Sequence, residues 1–150
     1  MPSSFVDLLQ EKQISLDLRE STQSAALREL VDLLASNPSV HDLNGFHEAL
    51  LLREKVNSTV VGNGIAFPHA RTDHVDKIVL AAGRSTQGVR FENSADPVHL
   101  IFVIGTPKAL ISEYLVCVGA LARFVKNHET CERLMAAKTA AEFVELLRLG

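Results

Sequence analysis

The sequence has no cluster of lysine and arginine, few cysteines and no long hydrophobic run, and each shortage excludes a class of function. A formal charge of −3 without a basic patch argues against a nucleic-acid surface and against a polybasic membrane contact. The longest apolar run, Tyr114 to Ala122, falls well below the ~20 residues that span a bilayer, and no basic and apolar signal opens the chain. A cytoplasmic protein without membrane insertion is therefore expected. The two cysteines, Cys117 inside the apolar run and Cys131 near a later helix start, fit buried or half-buried thiols better than a disulfide or a metal pair. Repeats, low-complexity tracts and Pro/Gly/Ser-rich linkers are absent too. With 150 residues, 47% of them hydrophobic, the default is one domain over residues 1–150.

What is present reads as alternating strands and helices. Ile14 to Leu18 alternates like an edge strand, after which Ser21 or Thr22 can cap a helix. Leu27, Leu30, Val31 and Leu34 form that helix's apolar stripe, and Asn37-Pro38 stops it. Asp42 can cap a second helix, with Phe46, Ala49, Leu50 and Arg53 on one face. Ile78 to Ala82, ended by Gly83, and Val98 to Ile104, ended by Gly105-Thr106-Pro107, read as central strands covered on both faces. Gln87 to Phe91 between them reads as a turn and short strand. A long helix is expected over about Leu110 to Lys126, with Leu110, Tyr114, Val118, Leu121 and Val125 as its stripe. Thr139 to Glu142 has the capping-box pattern before a C-terminal helix with Phe143, Leu146 and Leu147 inward. These elements predict an α/β fold, a single layered domain with a mixed, mostly parallel central sheet flanked by helices. Strand order does not follow from them.

The most informative stretch runs from Gly62 to Arg71: Gly-Asn-Gly, the short apolar run Ile65-Ala66-Phe67, then Pro68-His69-Ala70-Arg71. The glycines permit backbone conformations and close approaches that a Cβ obstructs, and Pro68 fixes φ just before His69. The imidazole is thus delivered from a strand into a turn. One reading makes His69 an ordinary cap on a backbone carbonyl. The other makes it a nucleophile, since a neutral imidazole is reactive near neutral pH and its phosphoramidate keeps a high transfer potential. Such transfer needs positioning and stabilisation of the phosphoryl oxygens. Groups around Ser58, Thr59, Gly62, Asn63 and Gly64, with the cations Arg53 and Arg71, can supply those contacts. Arg53 also has the plainer option of covering core surface with its stem while its guanidinium reaches water.

Other chemistry lacks its residues. His69 and His74 are five apart with no nearby cysteine, and no His-Glu-x-x-His occurs, so no metal is expected. No nucleophile elbow surrounds Ser58 or Thr59, which removes a hydrolase built from Ser58, His69 and Asp73. Without a Gly-Lys-Ser/Thr nucleotide loop, ATP is a poor donor and a phosphorylated partner protein a better one. No cofactor is expected. His41, His47, His99 and His128 read as surface or capping groups.

The Gly62-to-Arg71 segment resembles the active-site signature of the enzyme IIA domains of the bacterial sugar phosphotransferase system, in the fructose, mannitol and nitrogen-regulatory class. Arg53-Glu54, Gly88-Val89-Arg90-Phe91, the apolar strand Leu100 to Ile104 and the Glu142-to-Leu147 helix follow the family's order and spacing. The resemblance implies that His69 accepts phosphate from a small histidine phosphocarrier protein and passes it to a IIB component. It also exposes a departure. Sugar-transport members commonly place a second histidine early in the long helix, where this chain has Glu113-Tyr114-Leu115. Tyr114 can donate a hydrogen bond to a phosphoryl oxygen but cannot become a cation near neutral pH. It has an equal reading as an amphipathic residue of a helix stripe. Two alternatives stay open on this account: a stand-alone regulatory module of the same fold, switched by His69 phosphorylation and acting on a target protein, and a domain that keeps the fold without phosphorylation.

Overall fold

The computed structural model describes residues 5–149. Two 3-10 turns, Phe5–Leu8 and Glu11–Gln13, lead into β1 (Ile14–Ser15), α1 (Gln23–Asp32) and α2 (Leu43–Val56). Three short strands follow, β2 (Val60–Gly62), β3 (Ile65–Ala66) and β4 (His69–Arg71), then two long ones, β5 (Val79–Val89) and β6 (Val98–Thr106). The chain closes with α3 (Ile111–Phe124), α4 (His128–Ala136) and α5 (Ala140–Leu149).

The sheet runs in the order β1-β5-β6-β3-β2, with β4 continuing the edge beside β6 where β3 leaves off. It is mixed. β1 on β5, β3 on β6 and β4 on β6 are parallel, whereas β2 on β3 and the long β5–β6 ladder are antiparallel. Side chains alternate across the central strands, as the two-residue period of a strand requires. Leu80, Ala82, Leu100, Phe102 and Ile104 pack on Cys117, Leu121 and Phe124 of α3, Leu134 of α4 and Phe143 and Leu147 of α5. Val79, Ala81, Ile101 and Val103 face the opposite layer, with Leu27, Leu30 and Val31 of α1 and Phe46 and Leu50 of α2. Central strands covered on both faces are therefore found, and the α1 stripe is buried as its spacing requires.

The caps show the same local logic. Asp42 Oδ1 accepts the Gly45 N–H at 3.0 Å and starts α2. Thr139 Oγ1 accepts the Glu142 N–H at 3.0 Å, while the Glu142 carboxylate reaches back to the Lys138 N–H rather than to Thr139. Thr22 stands at the N-cap of α1 but makes no side-chain cap bond. Arg84, buried in β5, donates to the carbonyls of Leu134 and Ala137, which closes the C-terminal end of α4 with a cation.

Three expectations are corrected. Gly83 does not end a strand: β5 passes through it to Val89, and the Gln87–Phe91 segment is largely that strand's far end. Glycine is needed there for packing, since a Cβ would lie 2.7 Å from Leu18 Cδ1 and Leu30 Cδ2. The inward face of α3 is Cys117, Leu121 and Phe124, with Tyr114 and Val118 packed beside it and Leu110 at the N-cap. Finally, His69 does not sit in a turn. It opens β4, paired with Ile104. Pro68 has no N–H to give a ladder, so it divides the edge into β3 and β4, while its carbonyl still accepts the Ile104 N–H at 2.9 Å.

Candidate functional site

His69 is half-buried, and its Nδ1 donates to the Phe67 carbonyl at 2.9 Å. A carbonyl only accepts, so the proton of the neutral ring sits on Nδ1 and the lone pair on Nε2. Burial lowers the His69 pKa from its ordinary value; the bond to Phe67 opposes that shift and the Arg53 charge adds to it. The neutral ring is thus favoured, in the tautomer that leaves Nε2 unprotonated.

Three elements bring partners to it. Tyr114, in the first turns of α3, lays its ring against the imidazole with centroids 5.5 Å apart and planes at 44°. Burial raises the phenol's pKa, and the charges of Arg53 and Arg71 pull it down, so it remains a hydroxyl donor near neutral pH. Arg53 comes from the last turn of α2, where its Nη1 donates to the Asn57 carbonyl at 3.0 Å. Its charge acts on both His69 and Tyr114. Arg71 ends β4, exposed, with Nη2 donating to the Lys108 carbonyl at 3.3 Å.

The remaining expected phosphate contacts divide. Ser58 is exposed in the loop before β2, and its Oγ accepts the Val60 N–H at 3.1 Å. Thr59 is buried, and its hydroxyl is donated to the Glu54 carboxylate instead of facing the site. Gly62, Asn63 and Gly64 lie elsewhere: the Gly64 carbonyl accepts from His99 and Leu100, whereas His69 pairs with Ile104. At ~3.3 Å per residue the two places on β6 are roughly 15 Å apart. The structure therefore does not bring that turn to His69. Its composition has a backbone cause: φ is +101° at Gly62, +55° at Asn63 and +75° at Gly64.

Sequence reasoning left Glu54 without a role. Its buried carboxylate accepts from the Thr59 hydroxyl and from Gln23 Nε2 at 3.1 Å, and burial raises its pKa against those bonds. The signal that pointed to it was its place beside Arg53. Four of the other five histidines are engaged outside the site: His41 with Asp76, His74 with Asp42 at 3.8 Å, His47 with the Ser24 carbonyl and His99 with the Ser85 carbonyl. Cys117 is buried, its thiol pushed up to about 11. Among the described residues no group of three or more His, Cys, Asp or Glu is placed to hold a metal, and no helix is long and apolar enough to cross a membrane.

The half-buried imidazole, the Tyr114 ring against it and the charges of Arg53 and Arg71 acting on that pair form one polar cluster at the ends of α2, β4 and α3. Residues 7–149 match the family described as phosphoenolpyruvate-dependent sugar phosphotransferase system, EIIA 2, and the chain belongs to that family. A fructose-specific EIIA component of Haloferax volcanii is 35% identical over 135 residues, which are 89% of this chain and 88% of that protein. The chain spans only 23% of the length of another relative, the fructose-specific EIIABC component of Bacillus subtilis, 29% identical over 144 residues. Among solved structures, the nitrogen regulatory protein IIA-Ntr from Neisseria meningitidis superposes with a TM-score of 0.88 at 29% identity, over 95% of this chain and 98% of that one. The mannitol enzyme IIA of Escherichia coli, solved in complex with phosphorylated enzyme IIB, gives 0.80 at 25% identity, over 95% and 100%.

Proposed function

We propose that this chain, as a single cytoplasmic domain, is a phosphoryl carrier that takes phosphate onto His69 from a histidine phosphocarrier protein and passes it to a IIB component. The observation that carries the reading is the His69 geometry, with Nδ1–H tied to Phe67, the lone pair thereby on Nε2, the Tyr114 ring against the imidazole and the Arg53 charge acting on it. The Nε2 lone pair attacks phosphorus, the donor's N–P bond breaks, and its electron pair returns to the donor imidazole. The proton stays on Nδ1, hydrogen-bonded to the Phe67 carbonyl, so no proton crosses during transfer. Arg53, Arg71 and the Tyr114 hydroxyl are assigned to the charge that arrives, and Ser58, exposed in the loop after α2, is the remaining candidate contact. The proposed set leaves Thr59 and the Gly62–Gly64 turn with structural roles.

A protein donor and acceptor fit the surroundings. Leu52 and Val56 project from α2, and Ile111, Leu115 and Val116 from α3, with Val56 at 73% and Leu115 at 61% exposure. These two helices also carry Arg53 and Tyr114. The apolar side chains thus flank the site as an interface core would, with no cofactor required. Incubation with labelled phosphoenolpyruvate and the system's upstream carriers tests the reading. Wild type should be labelled and His69→Ala should not; equal absence of label, under conditions that label a known acceptor, would sink it.

The second reading is a regulatory module of the same fold, whose target protein senses the phosphoryl charge on His69. Tyr114 at the second-histidine position favours it, and so does the similarity to IIA-Ntr. Pull-downs with phosphorylated and unphosphorylated protein separate the two: recovery of IIB components alone supports carriage, and a different partner that depends on His69 supports regulation.

A further inference from the structure

The last turn of α2 reaches His69 by two routes. Arg53 acts through its charge. Glu54, the next residue, turns inward and acts through a chain of bonds. Its carboxylate accepts the Thr59 hydroxyl and the Thr59 backbone N–H. The Thr59 carbonyl then accepts the Phe67 N–H at 3.0 Å, and the Phe67 carbonyl accepts His69 Nδ1–H at 2.9 Å. Donor and acceptor alternate along the whole path. We propose that Glu54 and Thr59 are positioning residues that fix the tautomer and rotation of the His69 ring through the Phe67 carbonyl, an inference that rests on His69 being the phosphoryl acceptor.

The path matters because the other bonds of segment 57–59, from Arg53 to the Asn57 carbonyl and from the Val60 N–H to Ser58 Oγ, are exposed. Asn57 and Ser58 are exposed, and β2 begins only at Val60. Thr59 is the buried exception, anchored from the helix. Phe67, by contrast, is secured on its other side by ring contact with Phe102 at 5.7 Å, and Pro68 by its bond to Ile104. Loosening Thr59 should therefore leave the sheet assembled and free the one carbonyl that selects the imidazole tautomer. Gln23 extends the anchor, because its Nε2 donates to the second Glu54 oxygen while its Oε1 accepts the Glu92 N–H. The carboxylate is thereby held from both sides, which a buried charge requires.

Thr59→Val keeps the shape and removes the hydroxyl; Thr59→Ser keeps the hydroxyl; Glu54→Gln keeps volume and removes the charge. Long-range 15N–1H spectra of the imidazole report the share of ring protons on Nδ1 in each folded variant, and steady-state transfer from the phosphocarrier reports kcat and KM. Thr59→Val should give a tautomer mixture and about tenfold lower kcat at unchanged KM, and Thr59→Ser should restore both. A wild-type tautomer in folded Thr59→Val and Glu54→Gln overturns the proposal whatever the rates do. Absence of phosphate uptake by the wild type would instead overturn the acceptor reading, and the tautomer comparison still judges the positioning.

Discussion

The edge built from β2, β3 and β4 has two unlike ends. At one, Gly62, Asn63 and Gly64 turn the chain through three successive positive φ angles, away from His69. At the other, Pro68 and His69 place an imidazole between the ends of α2 and α3. A single ten-residue signature thus contains a backbone requirement and a chemical one, separated by the length of a short strand. Residues that travel together in a motif need not meet in the site.

Substitutions at the two ends should fail in different ways, and the largest contrast is the most direct. His69→Ala should abolish phosphoryl uptake while leaving the melting transition nearly in place. Gly64→Ala should do the reverse. Its φ of +75° disfavours a Cβ, and that Cβ would meet His99 Cδ2 at 3.3 Å. We expect a loss of about 1–2 kcal/mol in denaturant unfolding with transfer retained in the folded fraction. Loss of transfer in well-folded Gly64→Ala would erase the distinction between the ends.

The next effect concerns charge. Arg53→Gln keeps a polar stem on α2 but removes the cation that faces both His69 and Tyr114. Transfer should slow about 100-fold if the guanidinium meets the phosphoryl oxygens as charge shifts between donor and acceptor. A stopped-flow or quenched-flow rate within a factor of two of wild type would return Arg53 to its helix-capping bond with Asn57 alone. Tyr114→Phe is milder. It retains ring contact with His69 and removes only the hydroxyl, so about tenfold slower transfer is expected, and an unchanged rate would make Tyr114 a packing residue.

The same comparison explains what could be read from the chain. Helices α1 and α2, their stripes and the Asp42 cap follow from local spacing, because a helix is specified by residues within a few positions of one another. His69, Arg53 and Tyr114 were legible because each carries a chemically distinctive side chain in a family-like order. Thr59 was not. Asn57-Ser58-Thr59 has the composition of a solvated loop, and only the end of α2 decides that Thr59 turns inward to Glu54. Gly83 misled for the opposite reason. A glycine after a run of apolar residues looks like a strand end, whereas here the crowding of Leu18 and Leu30 from distant segments requires it. Strand β4 is three residues long and exists only because β6 offers a free edge, a fact about pairing that no local pattern contains.

The smallest effect is one of pH, and it isolates the histidine end. His69 has a pKa below its ordinary value of 6.5, so the unfolded chain binds a proton that the folded protein refuses in the interval beneath 6.5. Stability from this group is therefore complete above about pH 6.5 and falls as the pH drops through the folded value. Following the His69 imidazole C–H resonances between pH 4 and 8 should show its Nε2 still unprotonated where an ordinary histidine is half charged. The phosphoryl-accepting rate should stay flat through pH 6.5 and fall only at that lower midpoint. A rate that instead halves at 6.5 would mean that the Phe67 carbonyl, which favours the protonated ring, fully offsets burial and Arg53 together.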